Sequence, residues 1–267
     1  MKQSMKRFGG NNMRVLRSIS IVVCLFILSA ICMAEETAYF DWKGSQLYAS
    51  KNYTDALAYF DKAVTQDPNY IDSWMHKGDA QRGLKDYNGS IQSYSAALKI
   101  ASNKTAAWSG IADDYTALKD YANASAAAAR ATEIDSKTKT NWLREGNLLQ
   151  AQGMYNKSVA KYDGAIALDP QYKDALYKKA TSLMVIGNNT GASQLFAQIL
   201  QIDPKYKQAY NAEGIALEAN GRYAEALQAY ENALVIDPAY SQALVNKMHV
   251  LLALKKQNEA MQIFVKI

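Results

Sequence analysis

The sequence predicts an all-α fold, a right-handed superhelical solenoid of about seven 34-residue helix–turn–helix repeats. Three observations carry that expectation. The stretch Lys207–Pro238 contains two apolar stripes at helical spacing, one over 207–219 and one over 223–236. Gly221 supplies a left-handed break between them, and Asp237-Pro238 closes the second. The same pattern returns at an unbroken interval of 34, the difference between Pro238 and Pro204 and again between Pro204 and Pro170. A lone helix pair cannot bury its stripe, whereas stacked copies can.

The chain begins with a leader. Residues 1–18 carry Lys2, Lys6, Arg7, Arg14 and Arg17 and no acid, and Ile19–Met33 is almost entirely apolar. A basic region, an apolar run and small residues at its end mark residues 1–34 as a signal peptide or a signal anchor. Cleavage after Ala34 would leave Glu35 first; an uncleaved run would be a short membrane anchor beside the ~20 residues a spanning helix prefers. Both readings place the array outside the cytoplasm, secreted or held to the membrane through this segment. The leader also explains the charge. The chain has 30 basic and 25 acidic residues, and removing the five leading positives leaves 25 against 25. A neutral array argues against nucleic acid as partner, because phosphate binding needs clustered positives. Residues 35–136 hold 10 basic and 14 acidic side chains and the remainder 15 and 11, so the second half is the positive one. Cys24 and Cys32 both fall in the leader, so the array depends on packing and not on disulfides.

Residues 35–267 form the array, with repeats near 37–70, 71–104, 105–138, 139–172, 173–206, 207–240 and 241–267. One position holds Gly44, Gly78, Ala112, Gly146, Ala180, Gly214 and then Met248. Another holds Ala56, Ser90, Ala124, Ser158, Ala192, Ala226 and Ala260. A third holds Phe60, Tyr94, Ala128, Tyr162, Phe196, Tyr230 and Phe264. Small residues let two helices approach and the aromatic fills the space beside them. Repeat one carries an extra aromatic, Trp42. Repeats two and three end in Ser102 and Ser136 in place of proline, where serine is expected to cap the next helix. Repeat three has an alanine-crowded second helix from Ala124 to Ala131, which removes buried area and predicts the softest joint. Repeat seven ends MQIFVKI, with Ile263, Val265 and Ile267 apolar at the edge.

Together with Phe40, Trp74, Trp108, Trp142, Leu176, Tyr210 and Leu244 at the leading aromatic position, these residues resemble the tetratricopeptide repeat family in period and pattern. The resemblance implies a groove lined by the first helices, with positions 2, 5, 6, 9, 12 and 13 of each repeat facing a peptide or protein ligand. Its best-known carboxylate clamp is broken here, since Leu143, Asn147, Lys178, Gln208 and Ala212 stand at the clamp positions. Repeats five to seven instead offer Tyr177, Lys178, Met184, Val185, Asn211, Ile215, Asn246, His249 and Leu252, amides among apolar side chains. The expected partner site comprises Tyr177, Lys178, Met184, Asn211, Ile215, Asn246 and His249.

Six glycosylation acceptors, Asn52, Asn88, Asn103, Asn123, Asn156 and Asn188, are expected in turns of repeats one to five, leaving the last two repeats bare. No catalytic constellation is expected. His76 and His249 lie five repeats apart, without cysteine or paired carboxylates at ligand spacing, so no metal or cofactor is implied. Asp113-Asp114 reads as a solvated pair, and GNNTG at 187–191 follows a helix and lacks the lysine of a phosphate loop. The function expected is a non-enzymatic protein-interaction scaffold, exported or anchored. Alternatives are a glycosylated envelope spacer and a regulatory subunit of an enzyme carried on another chain.

Overall fold

The computed structural model describes residues 32–264, and the readings made on residues 1–31 and 265–267 lie outside them. Among the described residues every regular element is an α-helix. In chain order these are α1 (32–49), α2 (Tyr53–Gln66), α3 (Ile71–Gly83), α4 (Tyr87–Ile100), α5 (Thr105–Ala117), α6 (Tyr121–Ile134) and α7 (Lys139–Ala151). There follow α8 (Tyr155–Leu168), α9 (Lys173–Val185), α10 (Asn189–Ile202), α11 (Lys207–Ala219), α12 (Tyr223–Ile236), α13 (Ser241–Ala253) and α14 (Gln257–Phe264). Helices α11 and α12 span the two stretches that periodicity marks out. No described helix is long and apolar enough to cross a membrane.

The chain divides between Leu118 and Lys119 into two compact units. The division falls inside repeat three, the repeat that has Ala128 where others have an aromatic ring. The first unit comprises α1–α5 and the second α6–α14, each a run of helices packed on their chain neighbours.

The packing rule is visible in both units. Phe60, Tyr94, Tyr162, Phe196 and Tyr230 are all essentially inaccessible. A Cβ added at Gly44, Gly78, Gly146 or Gly214 would approach the ring of Phe60, Tyr94, Tyr162 or Tyr230 to 2.6, 2.9, 2.5 and 2.5 Å. The small residue is therefore a slot for the ring of its own repeat. Repeat seven breaks the rule: Met248 stands where the slot would be, and Phe264 is 66% exposed. Ile263 is buried with Leu251 and Ala260, so the apolar edge that the sequence places on Ile263 falls on Met261 and Phe264.

Each turn inside a repeat uses one left-handed residue. Gly153, Gly187 and Gly221 take it at φ +74°, +84° and +74°, and Lys51, Lys85, Lys119 and Lys255 take it at φ 60–63° in the other four repeats. Only the glycines are recognisable from sequence; four repeats accept the strain of a side chain there.

Turns between repeats rest on an aspartate, a tryptophan or both. The side chains of Asp67, Asp135, Asp169, Asp203 and Asp237 each accept from the backbone N–H two residues on. The indole N–H groups of Trp74, Trp108 and Trp142 donate to the carbonyls of Pro68, Ser102 and Ser136. Ser102 and Ser136 thus contribute carbonyls and do not cap the next helix, whose N-caps are Lys104 and Thr138 without a side-chain bond. Asp135 and the Trp142 indole hold the turn at Ser136, and the Trp108 indole holds the one at Ser102, where Ala101 stands in place of the aspartate.

Two charged groups depart from the sequence reading. Asp114 is not solvated but fully buried, and Arg82 donates to it through Nε at 2.7 Å and Nη2 at 3.4 Å. Arg82 also lies over the Tyr94 ring at 5.1 Å, and Tyr94 donates its hydroxyl to Asp79 at 2.5 Å. His76 has a partner too: Asp41, 8% exposed, lies 2.9 Å from its Nδ1 and accepts from the Ser73 hydroxyl at 2.8 Å. The bond to Asp41 raises the His76 pKa against the opposing effect of burial.

Candidate functional site

The first-helix face of the second unit carries two open notches. The first, of 310 Å³, is lined by Leu143, Asn147, Asp174, Tyr177, Lys178 and Tyr206. The second, of 370 Å³, is lined by Asn211, Ile215, Ser241, Gln242, Val245 and Asn246. Their linings are copies. Leu143 and Asn211, Asn147 and Ile215, Asp174 and Gln242, Tyr177 and Val245, and Lys178 and Asn246 are each separated by 68, twice the 34-residue period. Both notches thus use positions 5 and 9 of one first helix and 2, 5 and 6 of the next.

The second unit fixes these positions through a ladder that repeats with the helices. Lys139, Lys173 and Lys207, which open α7, α9 and α11, donate to Asp169, Asp203 and Asp237 at 2.5, 2.7 and 2.5 Å. Each ammonium also lies over the ring of Tyr172, Tyr206 or Tyr240, at 4.4, 5.9 and 5.1 Å. The bond to lysine holds all three aspartates below their ordinary carboxylate range. These groups are accessible and such pairs contribute little stability, but they tie the start of each first helix to the aspartate turn that follows the second helix of its repeat.

Within the first notch the walls are apolar and the rim is charged. The Tyr177 ring meets Phe196 at 5.5 Å and Tyr206 at 5.7 Å. Burial raises the pKa of both the Tyr177 and Tyr206 phenols, so both are neutral hydrogen-bonding groups. Asn147 accepts from the Tyr162 hydroxyl at 3.0 Å, leaving its amide hydrogens for a ligand. Asp174 and Lys178 are exposed on the rim. The second notch carries no charge. Its walls are Ile215 and Val245, and Asn246 donates to Asn211 at 2.9 Å, which leaves the Asn246 carbonyl oxygen as an acceptor.

The expected partner-binding residues are therefore divided. Asn211, Ile215 and Asn246 meet in the second notch, and Tyr177 and Lys178 in the first. Asn211 is 7% exposed and Tyr177 packs on the core, so both also hold the fold together. Met184 is partly buried and packs against the core cluster around Leu183 and Phe196, where α9 meets α10. His249 is exposed but lines neither notch. Asp174, Tyr206, Ser241, Gln242 and Val245 line the notches and are not among the expected residues. They become visible only when positions are read in pairs across adjacent repeats, since each notch is shared by two first helices.

The six sequon asparagines are all exposed. Asn52 and Asn188 are N-caps of α2 and α10, while Asn88, Asn123 and Asn156 lie in the first turn of α4, α6 and α8, inside the helix and not in the turn as expected. Among the described residues no group of histidine, cysteine and carboxylate side chains is arranged to hold a metal ion.

Helix pairs at a fixed period, a small-residue slot for each buried aromatic ring and a ligand-sized face on the first helices define a solenoid interaction module. The tetratricopeptide repeat family model matches residues 43–105, 143–207 and 177–243, more than half of the chain. This chain belongs to the tetratricopeptide repeat family, whose members are generally protein-interaction scaffolds. No curated protein matches it in sequence. Similar solved structures include YrrB, described as a TPR protein with an unusual peptide-binding site, at 19% identity and TM-score 0.63, covering 70% of this chain and 97% of that one. A tetratricopeptide repeat protein from Parabacteroides merdae is similar at 16% identity and TM-score 0.64, covering 87% and 92%. MamA is similar at 22% identity and TM-score 0.60, covering 64% and 94%. At these identities the likeness concerns the fold.

Proposed function

We propose that the chain is a non-enzymatic scaffold that holds an extended segment of a partner protein on the first-helix face of its second unit. The observation that carries this reading is the pair of open notches, in which apolar walls stand beside amide groups with hydrogen-bonding capacity to spare. That combination suits a peptide, whose backbone takes the amides and whose side chains take the walls. YrrB, of the same fold, is described as having a peptide-binding site, which supports this reading. The basic-then-apolar leader further supports an array that works outside the cytoplasm, where its exposed asparagines meet glycosylation machinery in a competent host.

Photocrosslinking in the native host tests the binding reading. A crosslinker at Gln242 or Lys178 should trap one partner, and one at Gln201 on α10 should not. Equal capture from all three positions would refute it. Intact mass starting at Glu35, or a full-length chain in the membrane fraction, would each support export; a soluble full-length cytosolic product would remove it.

A further inference from the structure

The two notches are the same construction placed two repeats apart, yet their chemistry has diverged. Where the first has Tyr177, Asp174 and Lys178, the second has Val245, Gln242 and Asn246. Every charged rim residue of one is an amide in the other, and the aromatic wall of one is a branched aliphatic in the other. A ligand that met both identically would gain nothing from this difference.

Resting on the scaffold reading above, we propose that the partner segment is a two-anchor peptide: an aromatic side chain with a hydrogen-bonding tip in the first notch and a branched aliphatic side chain in the second. The first notch offers the faces of Leu143, Tyr177 and Tyr206, against which a ring packs, and Asn147, Asp174 and Lys178 supply donors and an acceptor to its tip. Tyrosine or tryptophan meets that description. The opposite charges of Asp174 and Lys178 offset each other, so neither an acidic nor a basic side chain is favoured over a neutral polar one. The second notch has Ile215 and Val245 for walls and only neutral groups at its rim, which suits valine, leucine or isoleucine. The spacing follows from the array. Packed helices lie about 8–10 Å apart, so two repeats along the first-helix layer span about 16–20 Å. An extended chain rises about 3.3 Å per residue, which sets the anchors about five or six residues apart.

Selection of a phage-displayed random peptide library on the full-length chain, kept in mild detergent for its apolar leader, tests this. The enriched peptides should share an aromatic and a branched aliphatic residue five or six apart. Two blocking variants then locate them. Asp174→Trp and Gln242→Trp replace exposed first-turn residues and fill one notch each, and circular dichroism should show both folded. By fluorescence polarisation each should weaken a labelled selected peptide at least tenfold. Changing the peptide's aromatic anchor to alanine should cancel the further effect of Asp174→Trp but not that of Gln242→Trp. Peptides that bind without paired anchors, or that are indifferent to both blocks, would overturn the two-anchor proposal and leave the scaffold reading standing. Failure to enrich any peptide would overturn both.

Discussion

The buried pair of the first unit offers a sharp test of how the array is held together. Asp114 is wholly inaccessible, and the Arg82 side chain is 29% exposed, so the pair lies mostly out of water. Removing one partner of such a pair leaves an uncompensated buried charge, at a cost of about 3–5 kcal/mol. The partial exposure of Arg82 lets water reach the site, which places Arg82→Ala near the lower end, about 3 kcal/mol. Arg82→Lys keeps the charge but loses the two-pronged contact and the seat over Tyr94, and it should recover only part of the loss. The double variant Arg82→Met/Asp114→Leu leaves no orphan and should lie between neutral and about 4 kcal/mol more stable than the single variants' parent. Equilibrium urea denaturation, followed through Trp74 and Trp108, which both belong to the first unit, reads these differences. A loss below about 1 kcal/mol for Arg82→Ala would mean that water solvates Asp114 freely. A double variant no better than the singles would mean that Arg82 matters for packing on Tyr94 and not for charge.

Three further outcomes are expected. Lys85→Gly should raise stability by about 0.5–1 kcal/mol, because a left-handed side-chain residue at φ 62° costs more than the added chain entropy of glycine; an unchanged urea midpoint would count against strain there. Gly214→Ala should cost about 1–3 kcal/mol, nearer the lower value because repeat five already places Ala180 beside Phe196, and no loss would mean the Tyr230 ring moves aside freely. The His76–Asp41 bond raises the folded histidine pKa, so its contribution is complete below the ordinary histidine value of about 6.5 and fades as pH rises through the folded value. The urea midpoint should therefore fall from about pH 6 to about pH 8 more in the parent than in His76→Gln, and parallel profiles would remove the linkage.

The repeat boundaries were legible because every copy must bury the same stripe, and the sequence repeats what the packing repeats. Lys207–Ala219 and Tyr223–Ile236 end where Gly221 and Asp237-Pro238 say they do. What repeats in structure but not in residue type was invisible. The left-handed turn position reads as glycine in three repeats and as an ordinary lysine in four, since its constraint is on the backbone and a side chain pointing to solvent is tolerated at a modest cost. Contacts that occur only once were invisible for a different reason. Asp114 looks like half of a surface acidic pair until Arg82, 32 residues earlier, is seen reaching it from the neighbouring first helix.

The candidate site lies between these extremes. Its residues occupy positions that periodicity assigns to the ligand-facing side, so Tyr177, Lys178, Asn211, Ile215 and Asn246 could be named from the sequence. Their grouping could not, because a notch belongs to two repeats at once and its lining is set by a spacing near one period. Reading each repeat alone therefore split each notch between two repeats, and it grouped with them Met184, which packs against the α9–α10 core and lines neither notch. Reading positions 5 and 9 of one repeat with positions 2, 5 and 6 of the next recovers both notches, and shows at once that Tyr177 and Val245 are counterparts. The difference between those two side chains, not the presence of a groove, is what would let this array distinguish one peptide from another.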